Sequence, residues 1–293
     1  MKKISYFLVL ICITLIGCKL EATEETSYTD TNPDISINLN VKNGALPGKF
    51  TINDNGDKIQ FSQGNLQYKT STNVWRFAAQ QYYYVGMSNA NISFSDEDWI
   101  DLFGWGTANN PNNVSKDYSD YATYTEWGNN PITSGGNEAN LWRTLTKDEW
   151  VYLFYGRANA ATLFALGRVN GVNGTILLPD NWTLPAGASF TASTTQGLTD
   201  KGTYYYDENN GHFTDNTYTS AQWKTMEDNG AVFLPAAGFR YGTGVGSVGS
   251  YGGYWSSTPY GEYDAYGLNF GSGDLGPRGI GIRHGGRSVR LVR

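Results

Sequence analysis

The sequence predicts an α+β domain in which two short helices lie among many short strands and long loops. Helix-start signals stand at Thr146 and near Thr219, and several segments of strand length, each bounded by Gly or Pro, follow the second of them. The chain has 36 glycines and is 15% aromatic, which is a composition of tight turns and aromatic surfaces rather than of long helices. Together these features favour the α+β class.

The N-terminus has the order of regions that defines a secretory signal peptide. Lys2 and Lys3 precede an apolar run at residues 4–16, and Leu15-Ile16-Gly17 stands directly before Cys18. This ending resembles a bacterial lipobox, so we expect residues 1–17 to be removed and Cys18 to carry lipid; ordinary cleavage near Gly17 is the alternative. The other cysteine, Cys12, lies inside the signal, so the mature domain can form no internal disulfide and no cysteine metal site.

Residues 18–47 form an acidic, Thr-rich stretch with little apolar content, and we interpret them as a tether between membrane and domain. The acidic start of this stretch, Lys19-Leu20-Glu21, resembles the surface-export signal of Bacteroidetes lipoproteins. The expected location is the outer membrane, with a lipid anchor and display at the cell surface. The folded domain is expected to span residues 48–293.

Inside the domain, the first predicted element is a hairpin. Residues 50–52 and 58–61 alternate around an Asn-Gly turn, and the acidic residues Asp54 and Asp57 belong to that turn rather than to a calcium loop, since the spaced ligands and the terminal Glu of such a loop are missing. Further on, Ser95, Asp96, Glu97 and Asp98 precede an apolar run at residues 99–103. This arrangement predicts a helix N-terminus, where negative charge is favourable, rather than a metal or acid/base cluster.

The two helices named above follow. The first begins with a capping box, Thr146 to Glu149, and the second begins near Thr219, carries Trp223 and Met226, and stops at Asn229-Gly230. Strands are predicted at residues 231–235, 254–257, 266–270 and 288–292.

The charge and motif content exclude several classes of function. A net charge of −6 and a pI of about 5.0 argue against nucleic acid, whose binders need a basic face. Residues 244–249 match the dinucleotide fingerprint in letters, but no βαβ unit surrounds them, so we interpret them as a loop. The two histidines, His212 and His284, lie in no nucleophile-elbow or helical context. We therefore expect no catalytic residues, no cofactor and no metal.

A composition shift marks residues 238–286. Nearly a third of them are Gly, Tyr recurs, and Lys, Gln and Met are absent. Tyr offers a large rigid contact area with a polar tip, while Gly, Ser and Asn adapt the rest, which is typical of binding loops.

Several motifs resemble lipoproteins of gut Bacteroidales that share the C-type-lectin fold of the formylglycine-generating-enzyme type. They lie at residues 141–150, 178–182, 233–240, 253–257 and 286–293. The Trp-Ser-Ser at 255–257 and the Arg-Ser-Val-Arg at 287–290 are also similar to variable proteins of diversity-generating retroelements, in which reverse transcription mutates adenines. This resemblance implies a variable region at about residues 238–286, and residues 240–285 keep to the amino acids that such mutagenesis can reach, apart from the motif residue Trp255 and the single departure Glu262.

The resemblance does not bring enzyme activity or calcium-dependent sugar binding with it. Related enzymes of that fold use catalytic cysteines that this domain lacks, and a Glu-Pro-Asn sugar motif is absent as well. The expected function is that of a receptor or adhesin that binds a protein or glycan on another cell, a phage or a host surface. A structural envelope or pilus-associated lipoprotein of fixed specificity is the alternative, and an enzyme of the sulfatase-modifying type is the weaker one.

The predicted ligand-binding residues are expected to share one continuous exposed face, because they lie in turns or alternate with the predicted core residues Trp255, Leu268 and Phe270. They are Tyr241, Ser247, Tyr260, Tyr263, Asp264, Tyr266, Asn269, Asp274 and His284. We expect Arg240, Arg287 and Arg290 to brace this face from behind, through hydrogen bonds to backbone carbonyls or to carboxylates such as Asp148.

Overall fold

A computed structural model describes residues 42–93, 98–193 and 211–293, all of which belong to one compact unit, Ile37–Arg293. The signal peptide, Cys18, most of the tether, Ser95, Asp96 and Glu97 lie outside the described residues. The described part is a mixed α+β domain made mostly of sheet with two short helices, which confirms the predicted class. None of its helices has the length and apolar character needed to cross a bilayer.

The strands of the described residues are β1 Phe50–Thr51, β2 Lys58–Ile59, β3 Leu66–Lys69, β4 Val74–Phe77, β5 Trp99–Ile100, β6 Phe164–Val169, β7 Val172–Leu177, β8 Thr217–Tyr218, β9 Val232–Pro235, β10 Phe239–Tyr241, β11 Gly244–Gly246, β12 Gly252–Tyr260, β13 Asp264–Gly271, β14 Asp274–Ile282 and β15 Gly285–Gly286. The helices are α1 Lys147–Val151 and α2 Ser220–Asp228, with a π-helical turn at Tyr152–Gly156 and 3-10 turns at Gly86–Ala90, Tyr118–Tyr121, Trp127–Asn129, Thr133–Gly135 and Ala160–Thr162.

The strands form five small sheets, with the orders β1-β2, β4-β3-β5, β8-β6-β7-β9, β11-β10-β15 and β12-β13-β14. All pairs are antiparallel except β6 with β8. The last two sheets are built from the Gly/Tyr-rich segment, so regular strands carry most of it.

The elements with strong local signals form where the sequence predicts them. Asn53 accepts backbone N–H bonds from Asn55 and Asp57 (both 3.1 Å), and these bonds close the turn between β1 and β2. Both helices begin with a complete capping box, Thr146 with Glu149 and Thr219 with Gln222. Each capping side chain satisfies an N–H group that the helix itself leaves without a partner.

The helix predicted at residues 99–103 is wrong. Trp99–Ile100 is instead a strand that pairs with Tyr68 and Lys69 of β3. The next residue, Asp101, is fully buried, and its carboxylate accepts the backbone N–H of Val85 and the side-chain amide of Asn89 (both 2.8 Å). These long-range bonds outweigh the local tendency of an acidic start to form a helix.

The final segment is extended, but it is not the regular strand predicted at 288–292. The carbonyls of Val289 and Leu291 accept the backbone N–H groups of Leu66 and Ser62, and Val292 bonds to Arg143. These contacts are isolated bridges to separate parts of the chain. Two strands that we did not predict, β6 and β7, form a hairpin around Asn170-Gly171, whose φ angles of 49° and 80° are the positive values that such a turn requires.

The core lies between these sheets and around α1. Trp150, Tyr254, Leu268 and Phe270 belong to one buried cluster, and Trp255 belongs to a second. The predicted core positions Trp255, Leu268 and Phe270 are therefore confirmed. Ala45 and Leu46, which we assigned to the tether, are buried in these clusters, so the folded part includes at least those residues.

Candidate ligand-binding site

The sheet β11-β10-β15 presents two aromatic side chains on its outer face. Phe239 and Tyr241 are 40% and 43% exposed, whereas Arg240 between them points inward and is fully buried. This is the period-2 alternation of a strand with one covered face. Arg240 donates to the carbonyl of Leu102, which holds β10 against the domain, and to the carbonyl of Gly242 just after the strand.

Beside this face lies a cavity of about 320 Å³. Its lining residues are Phe239, Arg240, Tyr241, Ser247, Tyr251, Ile282, Gly285, Gly286 and Arg287. The rings of Phe239 and Tyr251 meet edge to face at 6.2 Å, and Ile282 closes another side. The cavity can therefore surround an apolar group on several sides.

Next to the cavity, aromatic rings gather around His284. Its ring centroid lies 5.1 Å from that of Tyr241 and 4.8 Å from that of Tyr118, and Tyr118 in turn packs on Tyr263 at 4.5 Å. Burial, helped by the positive charge of Lys116, lowers the pKa of His284. Neither ring nitrogen of His284 has a hydrogen-bond partner within the described part of the chain, so we expect the imidazole to be neutral and to act as a flat apolar support.

A second aromatic pair stands at the tips of β12 and β13. Tyr260 and Tyr266 meet at 5.0 Å between ring centroids, and the Lys147 ammonium lies 5.4 Å from the ring centroid of Tyr266. Asp264 pairs directly with Tyr260 across the two strands and is half-buried.

The structure brings six of the nine predicted residues to the surface. Tyr241, Ser247, Tyr260 and Tyr263 are exposed, and Asp264 and Tyr266 are half-buried. The rings of Tyr241 and Tyr263 are connected through those of His284 and Tyr118, whereas the ring of Tyr260 contacts that of Tyr266. These aromatic side chains therefore form two separate groups on the surface.

The expected exposure of Asn269, Asp274 and His284 is wrong, since they are only 3%, 8% and 2% exposed. Asn269 lies beneath β14, where its Oδ1 accepts a 2.6 Å bond from Arg287. Asp274 lies close enough to Tyr251 to raise the pKa of that hydroxyl, after the larger effect of burial. His284 is covered by rings that arrive from distant parts of the chain.

The bracing role expected of the arginines is confirmed for backbone carbonyls. Arg290 donates to the carbonyls of Ser62 and Phe233, and Arg287 donates to that of Ile280. Asp148 takes no part: it is exposed and pairs with Lys147.

The other chemical groups of the described residues form no evident reaction centre. His212 Nδ1 lies 3.4 Å from Ser272 Oγ at the surface, but the nearby Asp215 carboxylate accepts the backbone N–H of His212 rather than orienting its ring. No group of three or more His, Cys, Asp or Glu that could hold a metal occurs in the described ranges. Gly244–Gly246, expected to be a loop, forms the edge strand β11.

Sequence reasoning missed five contributors to this surface: Lys116, Tyr118, Phe239, Ile280 and Ile282. The alternation of Arg278, Ile280 and Ile282 with glycines along β14 was a usable signal for an exposed strand face. Lys116 and Tyr118 lie far from the Gly/Tyr-rich segment in sequence, and no local pattern connects them to it.

No family model, curated protein or solved structure is significantly similar to this chain.

Proposed function

We propose that this protein is a lipid-anchored, surface-displayed receptor or adhesin that binds a protein or glycan ligand through the exposed aromatic face of its C-terminal segment. The proposal includes the lipid anchor at Cys18 and an outer-membrane location, which rest on the N-terminal sequence. It includes no catalytic step and no cofactor.

The observation that carries the proposal is the concentration of exposed apolar side chains. Of the nine large hydrophobic side chains exposed in the described residues, six lie between Phe239 and Ile282, and Tyr118 packs against one of them. Scattered apolar residues are normal on a protein surface, but a cluster beside a cavity is typical of an interaction site.

The scaffold under this face supports the same function. Three strands of eight or nine residues, β12, β13 and β14, carry Tyr260, Tyr266 and Ile280, and buried Arg240 and Arg287 tie the neighbouring segments down. A face held by strands loses little conformational entropy on binding. Its side chains can also change without loss of the fold.

The finer assignment within the proposal is a C-type-lectin-like variable protein of a diversity-generating retroelement. It rests on the motif resemblance, and the genome offers its test. A reverse-transcriptase gene near this coding sequence, with a near-copy of its last part that differs at adenines, is the expected finding. Without both, the protein remains a binder of fixed specificity in this proposal.

The binding function is tested with the full chain on a glycan array and on an array of purified cell-surface proteins. The test variants are Tyr241→Ala and Tyr263→Ala, and the matched control is Leu184→Ala, another exposed apolar side chain that lies outside the segment. We expect a ligand whose binding falls sharply in both test variants and stays unchanged in the control. Equal binding by all three variants would remove this face from the function.

The structural-subunit alternative requires assembly through an open strand edge, and β12 and β14, with nine residues each, are the edge strands of their sheet. Concentration-dependent polymers in sedimentation experiments would favour the alternative.

A further inference from the structure

Glycine occupies the strand positions beside both outward-facing rings of β10. Gly246 lies opposite Phe239, and Gly244 and Gly285 lie on the two sides of Tyr241. The backbone does not require glycine there, because none of the three has a positive φ and an added Cβ would meet no atom closer than 3.2 Å. What the three glycines provide is open space beside the rings.

The neighbouring Gly286 has no such space beside it. A Cβ at Gly286 would come within 2.9 Å of the Arg240 Cβ, so that glycine is needed for packing. At Gly285, the Cβ would project on the same face as Tyr241, towards Ile282 and the cavity. A side chain at position 285 would therefore fill the cavity from its floor.

The cavity suits an apolar group better than a sugar. Its walls are the rings of Phe239, Tyr241 and Tyr251 with Ile282, and the Arg287 guanidinium at its base already donates to Asn269 and to a backbone carbonyl. A buried sugar brings several hydroxyl groups, each of which costs free energy unless it finds a partner. An aromatic or branched aliphatic side chain makes no such demand.

A positive charge stands at the edge of this face. The Lys116 ammonium lies 4.5 Å from the Tyr241 ring centroid, and Lys116 is exposed. In the described ranges it pairs with no carboxylate, and the adjacent Asp117 directs its carboxylate to the N–H of Ser119 instead (2.9 Å). A carboxylate on the ligand would complement this charge.

We infer that the ligand is a protein that inserts one aromatic or branched aliphatic side chain into the cavity beside Tyr241 and places a neighbouring Asp or Glu carboxylate against Lys116. The inference rests on the proposed binding function and specifies the chemistry of the ligand. A single well-enclosed apolar side chain with an adjacent charge is a common way for an interface to concentrate its binding energy.

The test uses the full chain and small probes, with binding followed by saturation-transfer NMR. The peptide probes are the N-acetylated amides of Asp-Phe, Asn-Phe and Asp-Ala, and the sugar probes are the methyl glycosides of glucose, galactose and mannose. The cavity-filling variant is Gly285→Leu. Its matched control is Gly271→Leu, a position with no positive φ whose Cβ would meet only the Ser250 carbonyl, at 3.5 Å, and which does not line the cavity.

We expect wild type and Gly271→Leu to bind Asp-Phe more tightly than either other peptide, and Gly285→Leu to lose this binding. Because Gly285→Leu can perturb the fold, Lys116→Gln provides a second test at an exposed position. It should weaken Asp-Phe binding by about two- to fivefold, the effect of an exposed ion pair, and leave Asn-Phe binding unchanged.

Three results would overturn the inference: no Asp-Phe binding by wild type, equal binding by a folded Gly285→Leu, or no effect of Lys116→Gln. Binding of a glycoside that Gly285→Leu abolishes would also overturn it, since the ligand would then be a sugar. That last result would leave the proposed function standing. Failure of the proposed function is detected separately, by the arrays, if Tyr241→Ala and Tyr263→Ala bind as well as wild type.

Discussion

Arg287 donates from Nη1 to Oδ1 of Asn269 at 2.6 Å, and this bond fixes the layer beneath β13 and β14. The guanidinium lies 4.8 Å from the ring centroid of Trp255. The strand above it has glycine at 279 and 281, where a Cβ would come within 2.3 Å of the Asn269 amide and 2.1 Å of Arg287 Nη2, respectively. These two glycines are therefore required by packing, unlike those beside Tyr241.

Replacing Asn269 with Ala should lower the free energy of unfolding by about 1–3 kcal/mol, because a buried guanidinium N–H loses its acceptor. Urea unfolding measures the change. The control is Asn109→Ala at an exposed position, which should stay within about 0.5 kcal/mol of wild type. If the two variants were equally stable, Asn269 would not hold Arg287 in place.

Arg290 joins three distant parts of the chain, with hydrogen bonds to Ser62 and Asn65, to Gln81 and to Phe233. A Lys ammonium cannot place N–H donors in all of these directions, as the guanidinium does. Arg290→Lys should therefore lower the free energy of unfolding by roughly 3 kcal/mol or more.

The matched control for Arg290 is Arg278→Lys, since Arg278 is exposed on β14. Thermal unfolding of the two variants separates the effect of position from that of chemistry. A shift of the same size in both would contradict the role given to Arg290.

Stability should depend on pH through Asp101, because burial raises the pKa of this carboxyl to about 6 in the folded protein, against the opposing bonds from Asn89 and Val85. A raised folded pKa means that the folded state holds the proton more tightly than the unfolded state. The contribution of Asp101 to the free energy of unfolding therefore rises as pH falls from about 6 to about 4, by up to roughly 3 kcal/mol.

The measurement for Asp101 compares urea unfolding of wild type and Asp101→Asn at pH 4 and pH 7. Other carboxyl groups affect both proteins alike, so the difference between the two proteins isolates this residue. The free energy of unfolding of wild type, relative to that of the variant, should be higher at pH 4 than at pH 7. Parallel pH profiles would show that Asp101 does not titrate in this range.

Lipidation of Cys18 is tested by metabolic labelling of cells with an alkyne fatty acid. Wild type and the control Cys12→Ser should be labelled, and Cys18→Ser should not, because Cys18 is the residue that follows the lipobox-like Leu-Ile-Gly. Label on Cys18→Ser equal to that on wild type would rule out this anchor. Protease shaving of intact cells then reports whether the domain is displayed outside.

Local sequence determined the features whose physics is local. A capping box needs only Thr146 and Glu149, three residues apart, and the turn before β2 needs only Asn53 to Asp57. The positions of residues in turns or among apolar strand residues of the Gly/Tyr-rich segment likewise made it possible to predict the burial of Trp255, Leu268 and Phe270 and the exposure of Tyr241, Tyr260 and Tyr263.

Only the tertiary structure decided which strand faces are covered, because the covering groups come from elsewhere in the chain. Asn269 is buried because Arg287 returns beneath its strand, and His284 is buried because Tyr118 and Tyr241 close over it. Asp101 ends a strand rather than entering a helix because Val85 and Asn89 supply its hydrogen bonds. A period of two in the sequence separates the two faces of a strand, but the free energy that selects the buried face comes from contacts over long sequence separations.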